Sequence, residues 1–231
     1  MKAILFDCDG TLADSFGLIC ETMRRCFATA GLPVPERRAI EGIIGLSLDL
    51  AIHRLAPTVR EDELPSLVAI YRQEFMAAKI EPAFREALFA GIEPMLRRLA
   101  CRDDVVLGMV TGKSRRGVAN VVAAHQLDGM FLAVRTADDC PSKPHPAMVL
   151  ECCAELGIEP SQTVVVGDAI YDMQMAVSAG ARAIGVAWGA CEPATLVAAG
   201  ADDVVPDPAA LEVALGSFLE SPSSMMQPVL D

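Results

Sequence analysis

The sequence predicts an α/β fold, a parallel sheet with helices on both faces and an all-helical domain inserted after its first strand. Three observations predict it. The apolar runs of the second half are short and continuous rather than alternating, as strands covered on both faces require. Each run is followed by a stretch of helical period. Between the first run and the second lie about a hundred residues, far more than one crossover helix needs.

The elements follow in order. AILF (3–6) is the first strand. Phe16, Ile19, Met23, Phe27 and Ala30 then recur at three- and four-residue steps, and the GLP at 31–33 stops that helix. Ile40, Ile43 and Ile44, then Leu48, Ala51, Ile52 and Leu55, then the stretch 64–78, give three more amphipathic segments separated by Gly45 and Pro57. A helix over 91–99 returns the chain to the sheet. VVLGMV (105–110) precedes a helix near 115–125, MFLAV (130–134) one from about 147 to 156, and TVVVG (163–167) one running through Ala179. AIGVA (183–187) and DVV (203–205) each precede another. The expected division is therefore a catalytic core of residues 1–14 with 83–220, a helical domain of 15–82, and a polar, proline-bearing tail, 221–231, of poor order.

Composition narrows the function. The 231 residues, 52% hydrophobic, suffice for a packed core, and a formal charge of −12 argues against nucleic acid or an anionic membrane as partner. No apolar run approaches the roughly 20 residues that span a bilayer, and only Met1 to Phe6 precede the first aspartate, leaving no room for a signal peptide. The expected compartment is cytoplasmic. The eight cysteines are scattered, form no CxxC and have only three histidines as co-ligands, so free thiols are expected rather than disulfides or zinc.

Ligands of open parallel sheets bind beyond the carboxyl ends of the strands, so the residues following each run matter most. AILF leads into Asp7, Asp9 and Gly10; VVLGMV into Thr111, Gly112 and Lys113; TVVVG into Asp168, with Asp172 four residues on; and PSKPHP (141–146) offers Lys143. Crowded carboxylates repel one another and require a positive partner. Each residue also has a plainer reading: Asp14 with Ser15 as a helix cap, Asp168 as the cap of the helix after TVVVG, Asp172 as an exposed helical residue, Thr111 as a helix start. Lys113, Arg115 and Arg116 are read as solvated and outside the site, and His53, His125 and His145 as structural or surface groups.

FDCDGTLADS, VTGKS, KPHP and VVVGDAIYDMQMAVSAGA, in this order over almost the whole chain, resemble the haloacid dehalogenase-like hydrolases. The helical insert is similar to the cap of the C1-capped branch, and the whole to a phosphoglycolate phosphatase-like protein, although ALFAGI (87–92) keeps only part of that group's FPG-like entry motif. The resemblance implies a Rossmann-like core and a Mg²⁺-dependent phosphatase acting on a small phosphorylated metabolite. Asp7 would be the nucleophile that becomes an aspartyl phosphate. Asp9 would protonate the leaving group and then take a proton from water. Thr111 and Gly112 would hold phosphoryl oxygens, Gly10 would serve a connection needing positive φ or close backbone approach to the bound phosphate, and Lys143 would neutralise charge. Ser47, in the cap segment GLSLDL (45–50), would face the substrate.

Elementary electrostatics agrees, since a carboxylate about 4 Å from a phosphate dianion is repelled by on the order of 8 kcal/mol at an effective dielectric near 20. Oxygen ligands from Asp7, the Asp9 main-chain carbonyl, Asp168 and Asp172, the last through water or on Lys143, suit hard Mg²⁺ better than zinc. A phosphomutase of the same superfamily, similar to β-phosphoglucomutase, would use the same motifs. A non-catalytic phosphoacceptor would also join Asp, Thr and Lys around Mg²⁺, but in another order and with no use for Asp9. A dehalogenase or phosphonate-cleaving enzyme is disfavoured by the presence of Asp9.

Overall fold

The computed structural model describes residues 1–221. Its centre is a six-stranded, wholly parallel sheet of β1 (Lys2–Phe6), β4 (Val105–Val110), β5 (Phe131–Arg135), β6 (Thr163–Gly167), β7 (Arg182–Val186) and β8 (Asp203–Val205), in the order β5-β4-β1-β6-β7-β8. The two-residue strands β2 (Ala13–Asp14) and β3 (Ala87–Leu88) pair antiparallel, so the chain leaves the core and returns to it through one ribbon. Between them lie α1 (Phe16–Thr29), α2 (Arg37–Glu41), α3 (Leu48–Leu55) and α4 (Leu64–Lys79), the helical insert expected from the long gap.

The period of two along a strand divides the core into two layers. Ile4 and Phe6 join Met95, Val121, Leu211 and Phe218 on the face covered by α5 (Ile92–Ala100), α6 (Arg115–Ala124) and α10 (Pro208–Glu220). Leu5 joins Met148, Cys152, Met173 and Leu196 on the face covered by α7 (Ala147–Leu156), α8 (Ile170–Ala179) and α9 (Pro193–Ala198). A third cluster fills the insert, with Met23, Phe27, Ile40 and Ile52 packed together and with Ala169 and Tyr171 of the main domain reaching into it. None of the helices among the described residues is long and apolar enough to cross a membrane, and the described cysteines are all unpaired.

Three local expectations are corrected. Asp14 is no helix cap: it stands exposed in β2, paired with Ala87, and Ser15 precedes α1 without a side-chain capping bond. Ser221, expected to open the poorly ordered tail, is held in place: its carbonyl accepts from Lys2 Nζ at 2.7 Å and its N–H continues the ladder of α10; the rest of that expected segment, 222–231, lies outside the described residues. The strand expected at 130–134 runs one residue later. As an edge strand it leaves Leu132 exposed.

Candidate active site

β1 lies at the middle of the sheet, with β4 on one side and β6 on the other, and successive connections diverge from it in opposite directions. A crevice opens at such a point beyond the strand ends. The Asp7 N–H extends the sheet by donating to Val166 O at 2.9 Å, and the chain then turns sharply, with the Leu12 and Ala13 N–H groups both donating to Cys8 O. Gly10 sits in that turn at φ +85°, and a Cβ there would collide with the Asp168 carboxylate. Of the two reasons expected for a glycine here, the positive φ is the one observed, and the Asp168 carboxylate that it admits adds a second.

Asp168, at the end of β6, accepts from Thr11 Oγ1 at 3.0 Å and from the Ala190 N–H at 2.8 Å. It therefore does not cap α8, as the plainer reading had it. That task falls to Asp172, whose Oδ2 accepts from the Ala169 N–H at 3.1 Å, while its Oδ1 accepts from Lys143 Nζ at 2.6 Å. Asp172 is buried, not an exposed helical residue. Lys143 Nζ also lies 2.7 Å from Asp7 Oδ1, and the lysine is wholly buried. Oxygens of Asp7, Asp168 and Asp172 all fall within 4.8 Å of one another. Asp7 Oδ1 meets only the Lys143 ammonium, and Asp7 Oδ2 has no hydrogen-bond partner.

The electrostatics follows from this crowding. Burial pushes the Asp7 carboxyl up to about 7, against the pull of Lys143 and with Asp172 adding to the rise. Asp168 is pushed well above the usual carboxylate range by burial first, then by Asp7 and Asp172. Burial works to lower Lys143, but Asp172 and Asp7 outweigh it and raise the ammonium above its ordinary value. Without a further cation, its surroundings oppose the ionised Asp7 that a nucleophile needs.

Asp9 is held otherwise. Its Oδ1 accepts from Lys113 Nζ at 2.6 Å, and the same ammonium lies 2.8 Å from Glu86 Oε1 in the linker that precedes β3. The Lys113 side chain is only 9% exposed, so the reading of Lys113 as solvated is corrected: it bridges the second aspartate of the first motif to the return linker of the cap. Sequence reasoning missed both Lys113 and Glu86. The position of Lys113 two residues after Thr111 was the only local signal; nothing local marks Glu86. Arg116 remains exposed, and Arg115 pairs with Asp139.

Thr111 is buried; its N–H donates to Arg135 O, and its hydroxyl oxygen accepts from the Lys113 N–H. It does not start α6, which is capped by Ser114. A Cβ on Gly112 would lie 2.5 Å from the carbonyl oxygens of both Gly45 and Leu46, so the insert rests directly on the core backbone there. The Ser47 N–H donates to Ser142 Oγ at 2.9 Å, beside Lys143. Tyr171 of α8 donates to Gly42 O at 3.0 Å and accepts from Arg54 at 2.8 Å. These contacts hold the insert over the strand ends, enclosing a cavity of about 620 Å³ lined by Asp9, Ser47, Gly112 and Lys113 among others. Cys8 points into the core, its thiol pushed well above its ordinary range by burial and then by Asp9. His125 contacts Glu86 O and His145 accepts from the Ala147 N–H, so neither reaches the carboxylates, in keeping with structural roles.

Comparison with known proteins bears directly on this geometry. Residues 4–186 match the family model described as haloacid dehalogenase-like hydrolase. A probable phosphatase, IndB, of Dickeya dadantii is 32% identical over 187 residues, 80% of this chain and 81% of that protein. A phosphoglycolate phosphatase of Chromobacterium violaceum is 30% identical over 199 residues, covering 85% and 89%. In fold, a hydrolase from Pseudomonas syringae superposes with a TM-score of 0.82 at 24% identity, over 94% of this chain and 99% of that one.

Proposed function

Because the chain belongs to the haloacid dehalogenase-like hydrolases and is a phosphatase of that family, we propose that it hydrolyses a small phosphate monoester through an aspartyl phosphate on Asp7. The observation that carries this reading is the Asp7 carboxylate itself: buried at the sheet's central strand end, with Oδ1 against a single ammonium and Oδ2 without a partner. A carboxylate kept only for structure would be satisfied.

The residues also fit a hard divalent ion. Asp7, Asp168 and Asp172 present oxygen alone, and Asp7 Oδ2 has no other partner. Mg²⁺ held by these groups and by the Asp9 carbonyl would offset charge on nucleophile and phosphoryl oxygens. The chain's own residues do the rest. An Asp7 oxygen forms a bond to phosphorus as the bond to the leaving oxygen breaks, and the Thr111 hydroxyl and Gly112 N–H donate to phosphoryl oxygens. Asp9 delivers its proton to the departing alkoxide, then takes one from the water that attacks phosphorus and releases Asp7. Lys143 keeps its charge throughout.

Ser47 and the rest of the cap face the leaving group. Phosphoglycolate, named for the Chromobacterium relative, and sugar phosphates set the size class. Hydrolysis of a panel of phosphate esters should require Mg²⁺ and vanish with chelator or in Asp7→Asn. In Asp9→Asn, substrates with good leaving groups should leave labelled phosphate on the protein. Undiminished turnover by Asp7→Asn would overturn the assignment.

A further inference from the structure

The cavity above Asp9 has a chemical bias that the phosphate-handling groups do not use. At about 620 Å³ it lies within the range of roughly 300–1,000 Å³ typical of pockets for ligands of drug size. One wall is supplied by α4, where Tyr71 and Phe75 stack at 6.2 Å between ring centroids with 27° between planes. Ile19, Met23 and Val68 continue that wall. Fourteen of the nineteen lysines and arginines are engaged; Arg38, Arg72, Lys79, Arg85 and Arg116 alone lack a hydrogen-bond, ion-pair or ring partner among the described residues. Arg72, Lys79 and Arg116 of that group line this cavity. The lining carboxylates are mostly committed, Asp9 and Glu86 to Lys113 and Asp138 to the Arg115 N–H, while Asp49 sits in the first turn of α3, where a helix favours negative charge. In a chain of net charge −12, free positive charge around one apolar cavity is out of keeping with the rest of the surface.

We propose that the natural leaving group carries a flat ring, which lies against Tyr71 and Phe75, and a second anionic group, which meets Arg72, Lys79 and Arg116. The inference rests on the phosphatase reading and narrows its substrate class: neither phosphoglycolate, an anion without a ring, nor a neutral polyol phosphate uses both features.

Four esters with alkyl leaving oxygens separate the two features: 4-carboxybenzyl phosphate has both, benzyl phosphate the ring alone, phosphoglycolate the anion alone, and glycerol 1-phosphate neither. With Mg²⁺, kcat/KM should be greatest for 4-carboxybenzyl phosphate, by about tenfold or more over each of the others. In Tyr71→Leu/Phe75→Leu the ratio of 4-carboxybenzyl phosphate to phosphoglycolate should collapse towards one. In Arg72→Gln/Lys79→Gln/Arg116→Gln the ratio of 4-carboxybenzyl to benzyl phosphate should do so. Ratios within one variant cancel any loss of folded protein. Equal use of all four esters by the parent protein, or variants that lower all four alike, would overturn the proposal. Calorimetric binding of the matching non-hydrolysable phosphonates reads the cavity without turnover: tighter binding of the 4-carboxybenzyl compound with no hydrolysis would sustain the specificity and sink the chemistry, and equal binding would sink the specificity alone.

Discussion

The contact between Gly112 and the cap offers the most direct test of how the two parts of the molecule cooperate. In Gly112→Ala the new Cβ would meet Gly45 O and Leu46 O at 2.5 Å and the Gly45 carbonyl carbon at 2.8 Å. Both obstacles are backbone, so no side chain can swing aside. A relaxed contact of about 3.4 Å requires the cap segment to retreat by roughly 0.9 Å, since carbon and oxygen do not approach more closely without cost. The retreat would stretch the Ser47 N–H to Ser142 Oγ bond, now 2.9 Å, beyond useful length. A misplacement near 1 Å in a positioned site can lower turnover by about a hundredfold, and overpacking destabilises by about 1–3 kcal/mol. The expected result is a kcat/KM reduced by about 10- to 100-fold with a melting temperature lowered by roughly 2–12 °C, the assay being run well below that melting temperature. Gly216→Ala is the control: it lies in α10, nothing stands within 4 Å of its Cβ, and removing a helical glycine should stabilise by about 0.5–1 kcal/mol with activity unchanged. If Gly112→Ala retained kcat/KM within twofold of the parent, the cap would not rest on the core in the working enzyme.

Four other outcomes follow from the site. Lys143→Ala leaves three buried carboxylates without their ammonium and should cost about 3–5 kcal/mol, seen as a fall in melting temperature of roughly 6–20 °C for a chain of this size; an unchanged melting curve would refute the pairing. Mg²⁺ at a hundred times its dissociation constant should stabilise the parent by about 2.7 kcal/mol, and Asp168→Asn should lose most of that shift in the same thermal assay. Lys113→Met should lower kcat by more than about tenfold with a much smaller change in KM, because it frees Asp9 rather than the ester's binding groups; a change confined to KM would place Lys113 on the substrate instead. Iodoacetamide should label exposed Cys101 in the native protein and spare Cys8, whose thiol is buried and held protonated; peptide mass spectrometry reads the difference.

The sheet was legible because strands covered on both faces cannot hide their composition. TVVVG and VVLGMV have only one buried interpretation, and both emerge at the expected residues. Legibility declines where that premise fails. β5 is an edge strand with one face open, Leu132 is exposed, and the apolar run no longer marks the boundary. Asp14 was misjudged for a related reason: a two-residue strand has no pattern, and its partner Ala87 lies beyond the whole insert. The aspartates of the site were legible because each directly follows a strand or sits one helical turn beyond. Lys113 was not, since its partners Asp9 and Glu86 come from distant parts of the chain and a lysine after a strand looks the same whether buried or solvated.

Charge counting explains why two lysines so alike in sequence do different work. Lys113 stands between Asp9 and Glu86, a pair that it leaves with a surplus of a single negative charge, at a site with 8–11% of those side chains still open to solvent. Such a surplus can persist beside water. Lys143 stands among Asp7, Asp168 and Asp172, all essentially inaccessible, and one ammonium against three carboxylates leaves a deficit of two positive charges. A buried excess of that size cannot be tolerated; it is relieved either by proton uptake, the direction in which Asp7 and Asp168 are pushed, or by a doubly charged cation. Proton uptake would silence Asp7 as a nucleophile. On the proposed mechanism the arrangement would couple activity to a divalent ion through the charge balance of its own side chains, and a monovalent cation, which corrects only half the deficit, should not replace it.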